Sequence, residues 1–234
     1  MQITIDHLTA GAARAEGIVV VIDVFRAYTF ECFAYWRGVE RIYPVAGIEN
    51  AYAYRCAHPE YLLAGERGGK KAEGFDFGNS PAEIEKLDLT ERTLIHTTSA
   101  GTQGIEAAIH AEKILTAALV NAQATVRYLR RLTPERVSLV CMGFQNEYPT
   151  LEDTVCAEYM RAMLLDKPYD PAVREPELRK GPGARFFIPE HQSFAPERDY
   201  YLSLETNRFP FALEIAYDEK GERYTQKVEI SRRA

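Results

Sequence analysis

The sequence predicts an α/β protein: a single three-layer α/β/α domain on a mixed, largely parallel sheet, with a C-terminal β-hairpin. Three observations carry this. Ile18 to Val24 (IVVVIDV) is an unbroken, mostly β-branched run, the pattern of a strand buried on both faces of a sheet. Strand-like and helical segments then alternate as far as Leu165. Finally, Phe211, Leu213, Ile215 and Tyr217 alternate ahead of Asp218-Glu219-Lys220-Gly221, a hairpin turn into Glu222 to Ile230.

The elements follow in order. A helical pattern runs from Ala27 to Arg37 and is closed by Gly38. Arg41 to Val45 reads as a strand, Ile48 to Cys56 as a helix, and Tyr61 to Glu66 as a strand entering a polar, Gly-rich loop. That loop leaves through a helix start, with Ser80 as N-cap, Pro81 at the first position and Glu83 closing a capping box. Thr93 to Thr97 is a strand, followed by the turn Thr98 to Thr102 and a helix to about Ala111. Ile114 to Leu119 is a strand, and Asn121 caps a helix ending near Leu132. Val137 to Met142 is a strand and Leu151 to Leu165 a helix. Residues 166–184, rich in Pro and charge, read as a surface excursion. Arg130-Arg131 and Arg232-Arg233 read as solvated ends.

With 46% hydrophobic and 26% charged residues, the 234-residue chain has an ordinary globular composition and enough length for a proper core. Its net charge of −6 argues against a nucleic-acid partner, which needs a basic face. The start MQITIDHLTAG lacks the pattern of a signal peptide, and no apolar run is long enough to cross a bilayer. Four scattered cysteines in apolar segments suit reduced thiols, so a cytoplasmic location is expected. Phe186-Phe187-Ile188 suits a core or a homodimer interface equally.

Polar groups gather where strands end, the place where open α/β sheets bind ligands. Asp23 and Arg26 follow the first strand, and Glu66 and Arg67 a later one. Thr97, Thr98, Gly101 and Thr102 follow another, and Glu152 with Asp153 opens the helix after the strand ending near Met142. Each has a plain structural reading. Asp23 can pair with Arg26 or Arg67 as glue. Glu66 and Asp76 can be hard oxygen ligands for Mg²⁺ or ordinary loop carboxylates. Glu152 and Asp153 suit the first turn of any helix, and the threonines suit a phosphate cradle or a tight turn. The sequence has no P-loop, no nucleophile elbow and no zinc-type histidine spacing; His96 reads as a buried hydrogen-bonding group.

One combination is more specific. GERGG (residues 65–69) and GFDFGNSP (74–81), preceded by VVIDVFRA and followed by HTTSAGTQGI and LEDTVCA, resemble the 2-phosphosulfolactate phosphatase family. The resemblance spans Ile18 to Leu165, with a weaker echo in FPFALEI. It implies a Mg²⁺-dependent phosphatase whose namesake reaction releases 3-sulfolactate on a route to coenzyme M. By position it implies catalytic roles for Asp23, Arg26, Glu66 and Arg67, and metal ligation by Asp23, Glu66, Asp76 and Glu152 or Asp153. It implies substrate contacts from Asn79, Ser80, Thr97, Thr98, Gly101 and Thr102, and Lys70 or Lys71 is expected to attract a second acid group of the substrate. Two departures stand out: Tyr28 and Phe30 replace hydroxyl residues of the family pattern, and the TTSAGT turn is one residue longer. Both are expected at the substrate end. The expected partner is a small anionic phosphate ester. The competing expectations are a phosphatase for another small phospho-acid and a binding protein without turnover.

Overall fold

In the computed structural model, which describes residues 1–230, ten strands form one hydrogen-bonded order. They are β1 (Gln2–His7), β2 (Gly17–Ile22), β3 (Arg41–Pro44), β4 (Leu62–Arg67), β5 (Lys70–Lys71), β6 (Thr93–Thr97), β7 (Ala111–Ala117), β8 (Arg136–Cys141), β9 (Phe211–Tyr217) and β10 (Arg223–Glu229). The order is β1-β8-β2-β7-β9-β10-β3-β6-β4-β5. Two parallel blocks, β1-β8-β2-β7 and β3-β6-β4, are joined by the antiparallel hairpin β9-β10. The expected hairpin therefore exists, but it lies at the middle of the sheet. The Arg232-Arg233 pair lies outside the described residues.

β2 is buried at every position, as its β-branched run requires. β1 was not singled out in the sequence, although QITIDH alternates polar and apolar residues as a half-covered strand does; it pairs with β8. Because β7-β9, β9-β10 and β10-β3 are all antiparallel, the two parallel blocks run in opposite directions. A flat sheet would put the carboxyl ends of β2 and β6 on opposite edges, about 24 Å apart across five strand spacings. The ends of β2, β4 and β6 nevertheless line one cleft, and the helix Ala27–Trp36 packs against the sheet. Nine residues of that helix, Ala27 to Tyr35, are buried. Glu31 reaches His96 on β6, and Tyr35 Oη bonds the Thr225 carbonyl on β10. The helix thus ties the two parallel blocks together beside that cleft.

The excursion after Asp166 is not featureless. It holds 3-10 turns at Pro171–Arg174 and Pro182–Phe187 and a helix at Glu175–Lys180, and a further helix follows at Glu197–Ser203. Phe186 is fully buried against Phe25 and Tyr200, so it belongs to the core, whereas Ile188 is exposed. Of the four cysteines, none paired, Cys56 is exposed and the other three are buried. No helix among the described residues is long and apolar enough to cross a membrane.

Candidate active site

Asp23 leaves the end of β2 and turns the chain into the buried helix, its Oδ1 accepting from the Ala27 N–H at 3.2 Å. Glu66, at the end of β4, is fixed by three donors. Ser99 N–H reaches its Oε1 at 2.7 Å, while Gly69 N–H (2.7 Å) and Ser99 Oγ (3.1 Å) reach its Oε2. Gly101 opens the helix Gly101–Ala107 directly against Asp23. A Cβ there would stand 3.2 Å from Asp23 Oδ2 and 3.1 Å from the Tyr28 hydroxyl oxygen, so a side chain would push these neighbours back by a few tenths of an ångström. Asp23, Arg26, Glu66, Asn79, Ser99 and Arg185 line one cleft of about 30 Å³.

Arg185 was not singled out in the sequence. It arrives from the 3-10 turn just past the predicted excursion, with Nη2 donating to the Phe25 carbonyl at 2.8 Å. Its guanidinium lies 5.2 Å from the Phe144 ring centroid and 5.0 Å from that of Phe186. Its Nε is buried without a hydrogen-bond partner. Burial, and then the nearby Arg26, lower its pKa from the usual arginine value. A buried cation with a spare donor is costly until an anion meets it.

The other expected residues scatter around this cleft. Arg26 lines it, but its guanidinium is largely committed. Nη1 bonds Asp199 Oδ2 (2.6 Å) and the Phe194 carbonyl (2.7 Å), and Nη2 bonds the Gly69 carbonyl (2.9 Å). The partner is thus Asp199, from a helix the sequence reading missed, and not Asp23. Asp199 also accepts from Ser80 Oγ (2.7 Å) and Ala82 N–H (3.0 Å), so Ser80 serves that junction and caps Glu83 N–H. Glu83 bonds Gly78 N–H, not Ser80, leaving the predicted capping box half-made.

Arg67 folds back on the Glu66 carbonyl and Thr97 Oγ1 (2.6 and 2.9 Å) and does not line the cleft. Lys70 packs over the Phe194 ring at 5.2 Å. Thr98 and Thr102 bond each other's backbone N–H groups, which makes them the helix start. Asp76 takes Arg55 (2.9 Å) and Leu63 N–H (2.8 Å), away from the other carboxylates. Asp153 is buried behind the cleft, its two oxygens pinning Val24 N–H and Gly143 N–H at 2.8 Å each. Glu152 faces a neighbouring chamber. Asn79 is held by a buried chain, with His96 Nε2 at 2.9 Å from its Oδ1 and His96 Nδ1 at 2.8 Å from Glu31. Tyr28 and Phe30 are fully buried, and the Tyr28 hydroxyl donates to the Gly101 carbonyl. The two aromatic departures are core substitutions, not cleft lining.

The carboxyls repel one another. Burial and then Asp153 push Asp23 up to about 8; burial and then Glu152 push Asp153 to about 8; burial pushes Glu152 to about 7. These folded values lie above the unfolded ones, so between about pH 4 and 8 the folded chain holds more protons than the unfolded chain. Stability without metal therefore falls as pH rises through that window. Differential scanning fluorimetry is expected to show Tm dropping from pH 5 to pH 8, with added Mg²⁺ restoring more at pH 8 than at pH 5. Equal Mg²⁺ shifts at both pH values would contradict this.

Mg²⁺ suits the donors present. Asp23 and Glu66 supply only hard oxygens, and a cation would offset the burial and the carboxylate repulsion that raise Asp23. Among the described residues no three His, Cys, Asp or Glu side chains gather as a ligand cage. Mg²⁺ needs none, because one or two carboxylates with water and substrate phosphate commonly suffice.

The fold and cleft define an α/β protein with a polar cleft at converging strand ends, lined by two carboxylates and a half-satisfied arginine. The sequence pattern of the 2-phosphosulpholactate phosphatase family matches residues 3–179. The chain belongs to that family. Among its relatives is a protein of Caldicellulosiruptor saccharolyticus, 34% identical over 155 residues and covering 64% of each chain. Another, from Carboxydothermus hydrogenoformans, is 38% identical over 149 residues, 64% of this chain and 61% of its own. A third, from Gloeobacter violaceus, is 38% identical over 156 residues, 66% of each. All three are named "Probable 2-phosphosulfolactate phosphatase". The chain thus spans a little under two thirds of these relatives' length.

Proposed function

We propose that this protein hydrolyses the phosphate monoester of a small 2-hydroxy acid, with 2-phosphosulfolactate as the reference substrate and Mg²⁺ as cofactor. The observation that carries the reading is the buried, half-satisfied Arg185 guanidinium facing Asp23 and Glu66 in one cleft. A phosphate dianion accepts from Arg185 in the charge-assisted geometry that arginine favours. Asn79, fixed by His96, presents its amide to the same space. Asp23 has Oδ1 tied to Ala27, so Oδ2 is left for the cleft. From there it takes the proton of an attacking water or returns one to the leaving oxygen. Glu66, clamped by three donors, keeps its orientation without reorganisation. Mg²⁺, held by Asp23 and Glu66, would neutralise phosphate charge and acidify bound water.

The four unpaired cysteines accord with work in the cytoplasm. The reading of a cleft retuned for binding alone rested on Tyr28 and Phe30, and their full burial removes that support. The test is phosphate release from 2-phosphosulfolactate and other phosphorylated 2-hydroxy acids with Mg²⁺, then with EDTA. Release that stops on chelation is expected. Release unaffected by EDTA would remove the metal, and no release from any ester would remove the phosphatase reading.

A further inference from the structure

Asn79 lines the cleft, and its side chain is tied to the protein at one end. Oδ1 meets His96 Nε2 at 2.9 Å, and Nδ2 has no hydrogen bond among the described residues. The two ends of an amide have nearly the same shape but opposite chemistry, so hydrogen bonds decide which way it lies. Turned one way, Asn79 offers the cleft its N–H donors; turned the other, it offers a lone-pair oxygen. Only the first suits a phosphate dianion. The choice depends on whether His96 Nε2 carries a proton.

Glu31 settles that. His96 and Glu31 are both 0% exposed, and Nδ1 lies 2.8 Å from Oε1. Among the described residues His96 is the ion-pair partner of Glu31. The other titratable groups beside Glu31 are Tyr28, Cys32 and Tyr35. Burial and then Glu31 raise all three, so they stay neutral and supply no counter-charge. The two tyrosine hydroxyls donate to the Gly101 and Thr225 carbonyls, and Glu31 Oε2 is buried without a donor. The Phe30 ring packs on the imidazole, with centroids 5.3 Å apart. A carboxylate whose charge is left unmatched is too costly in such surroundings. The pair is therefore neutral overall, which allows two arrangements. With Glu31 ionised, His96 is doubly protonated and both ring nitrogens donate. With Glu31 protonated, Oε1–H donates to Nδ1 and the ring proton sits on Nε2. In both, Nε2–H donates to Asn79 Oδ1.

We infer that His96 is a positioning residue of the reaction: the neutral Glu31–His96 pair keeps a proton on Nε2, and Asn79 thereby keeps its NH₂ group turned to the phosphate. This rests on the phosphatase reading and adds to it a pair that never touches substrate. Phe30, one of the two aromatic departures, has a use here, because it helps to seal the pair from water.

Long-range ¹H–¹⁵N correlation of histidine-labelled wild type, with His96→Gln assigning the signal, is expected to show a proton on His96 Nε2 at neutral pH. A bare Nε2 would turn Asn79 around and overturn the inference. This arm reads the wild type, so it stands whether or not other variants fold. His96→Leu should lower kcat/KM for the ester at least about tenfold, the worth of one hydrogen bond to a charged group. His96→Gln, whose amide N–H can reach Asn79 Oδ1, should stay within about threefold of wild type. In Asn79→Ala, the further loss on His96→Leu should shrink to less than about threefold, because the group it positions is gone. A loss that persists in Asn79→Ala, or that His96→Gln shares in full, would make His96 a structural residue. Inorganic phosphate supplies an arm free of turnover, read as the Tm shift of each protein over its own phosphate-free value. If no ester is hydrolysed but phosphate stabilises wild type and His96→Gln more than His96→Leu, the phosphatase reading fails and the positioning of Asn79 stands. If phosphate stabilises all three alike, or none, the positioning role fails.

Discussion

Asp23→Asn is expected to lower turnover of a phosphate ester by about a hundredfold to ten-thousandfold, the usual worth of a positioned acid–base group, while making the metal-free protein more heat-stable at pH 8. The amide keeps an oxygen for the Ala27 N–H, so the turn into the buried helix survives. It removes a charge that burial and Asp153 both oppose. The fall of Tm with rising pH should flatten, because one of the groups that releases a proton late has gone. Opposite signs for activity and stability are the diagnostic result, since a functional group is often held in a place that costs stability. A Tm that falls along with activity would make Asp23 a structural residue.

Asp199→Ala should be the most destabilising of the polar substitutions. Arg26 and Asp199 are 3% and 0% exposed and meet at 2.6 Å. Removing the acid strands a buried guanidinium and also deprives Ser80 Oγ and Ala82 N–H of their acceptor. Breaking one side of such a pair costs about 3–5 kcal/mol, or roughly 6–20 °C in Tm for a chain of this size. Asp199→Asn retains an oxygen and should cost distinctly less. Urea denaturation of the three proteins checks this, and equal midpoints would show the pair to be dispensable.

Much of the architecture was readable because local pattern and tertiary role agree. The β-branched run of β2 is buried on both faces, and the strand–helix alternation to Leu165 marks nearly every element. Asp23 and Glu66 were readable because they sit at strand ends, where side chains escape the sheet. Arg185 and Asp199 were not, since they come from a segment with no periodicity and act only through contacts made about 120 to 170 residues away. Asp76 was misplaced for a related reason: its partner, Arg55, lies on a helix whose facing side cannot be told from spacing alone. Arg67 looked like a clamp beside Glu66, but successive residues of a strand point to opposite faces, so the two could not both face the cleft.

The central position of β9-β10 also bears on how the molecule is made. The strands that close the sheet leave the ribosome after the other eight, and until they arrive β7 and β3 are two open edges. Such edges pair readily with other chains, and contacts so distant in sequence form slowly. A nascent chain stalled before Phe211 would hold two half-sheets and an unsheltered helix Ala27–Trp36, a species suited to chaperone capture. The same chain released with the hairpin complete has β7 and β3 both paired.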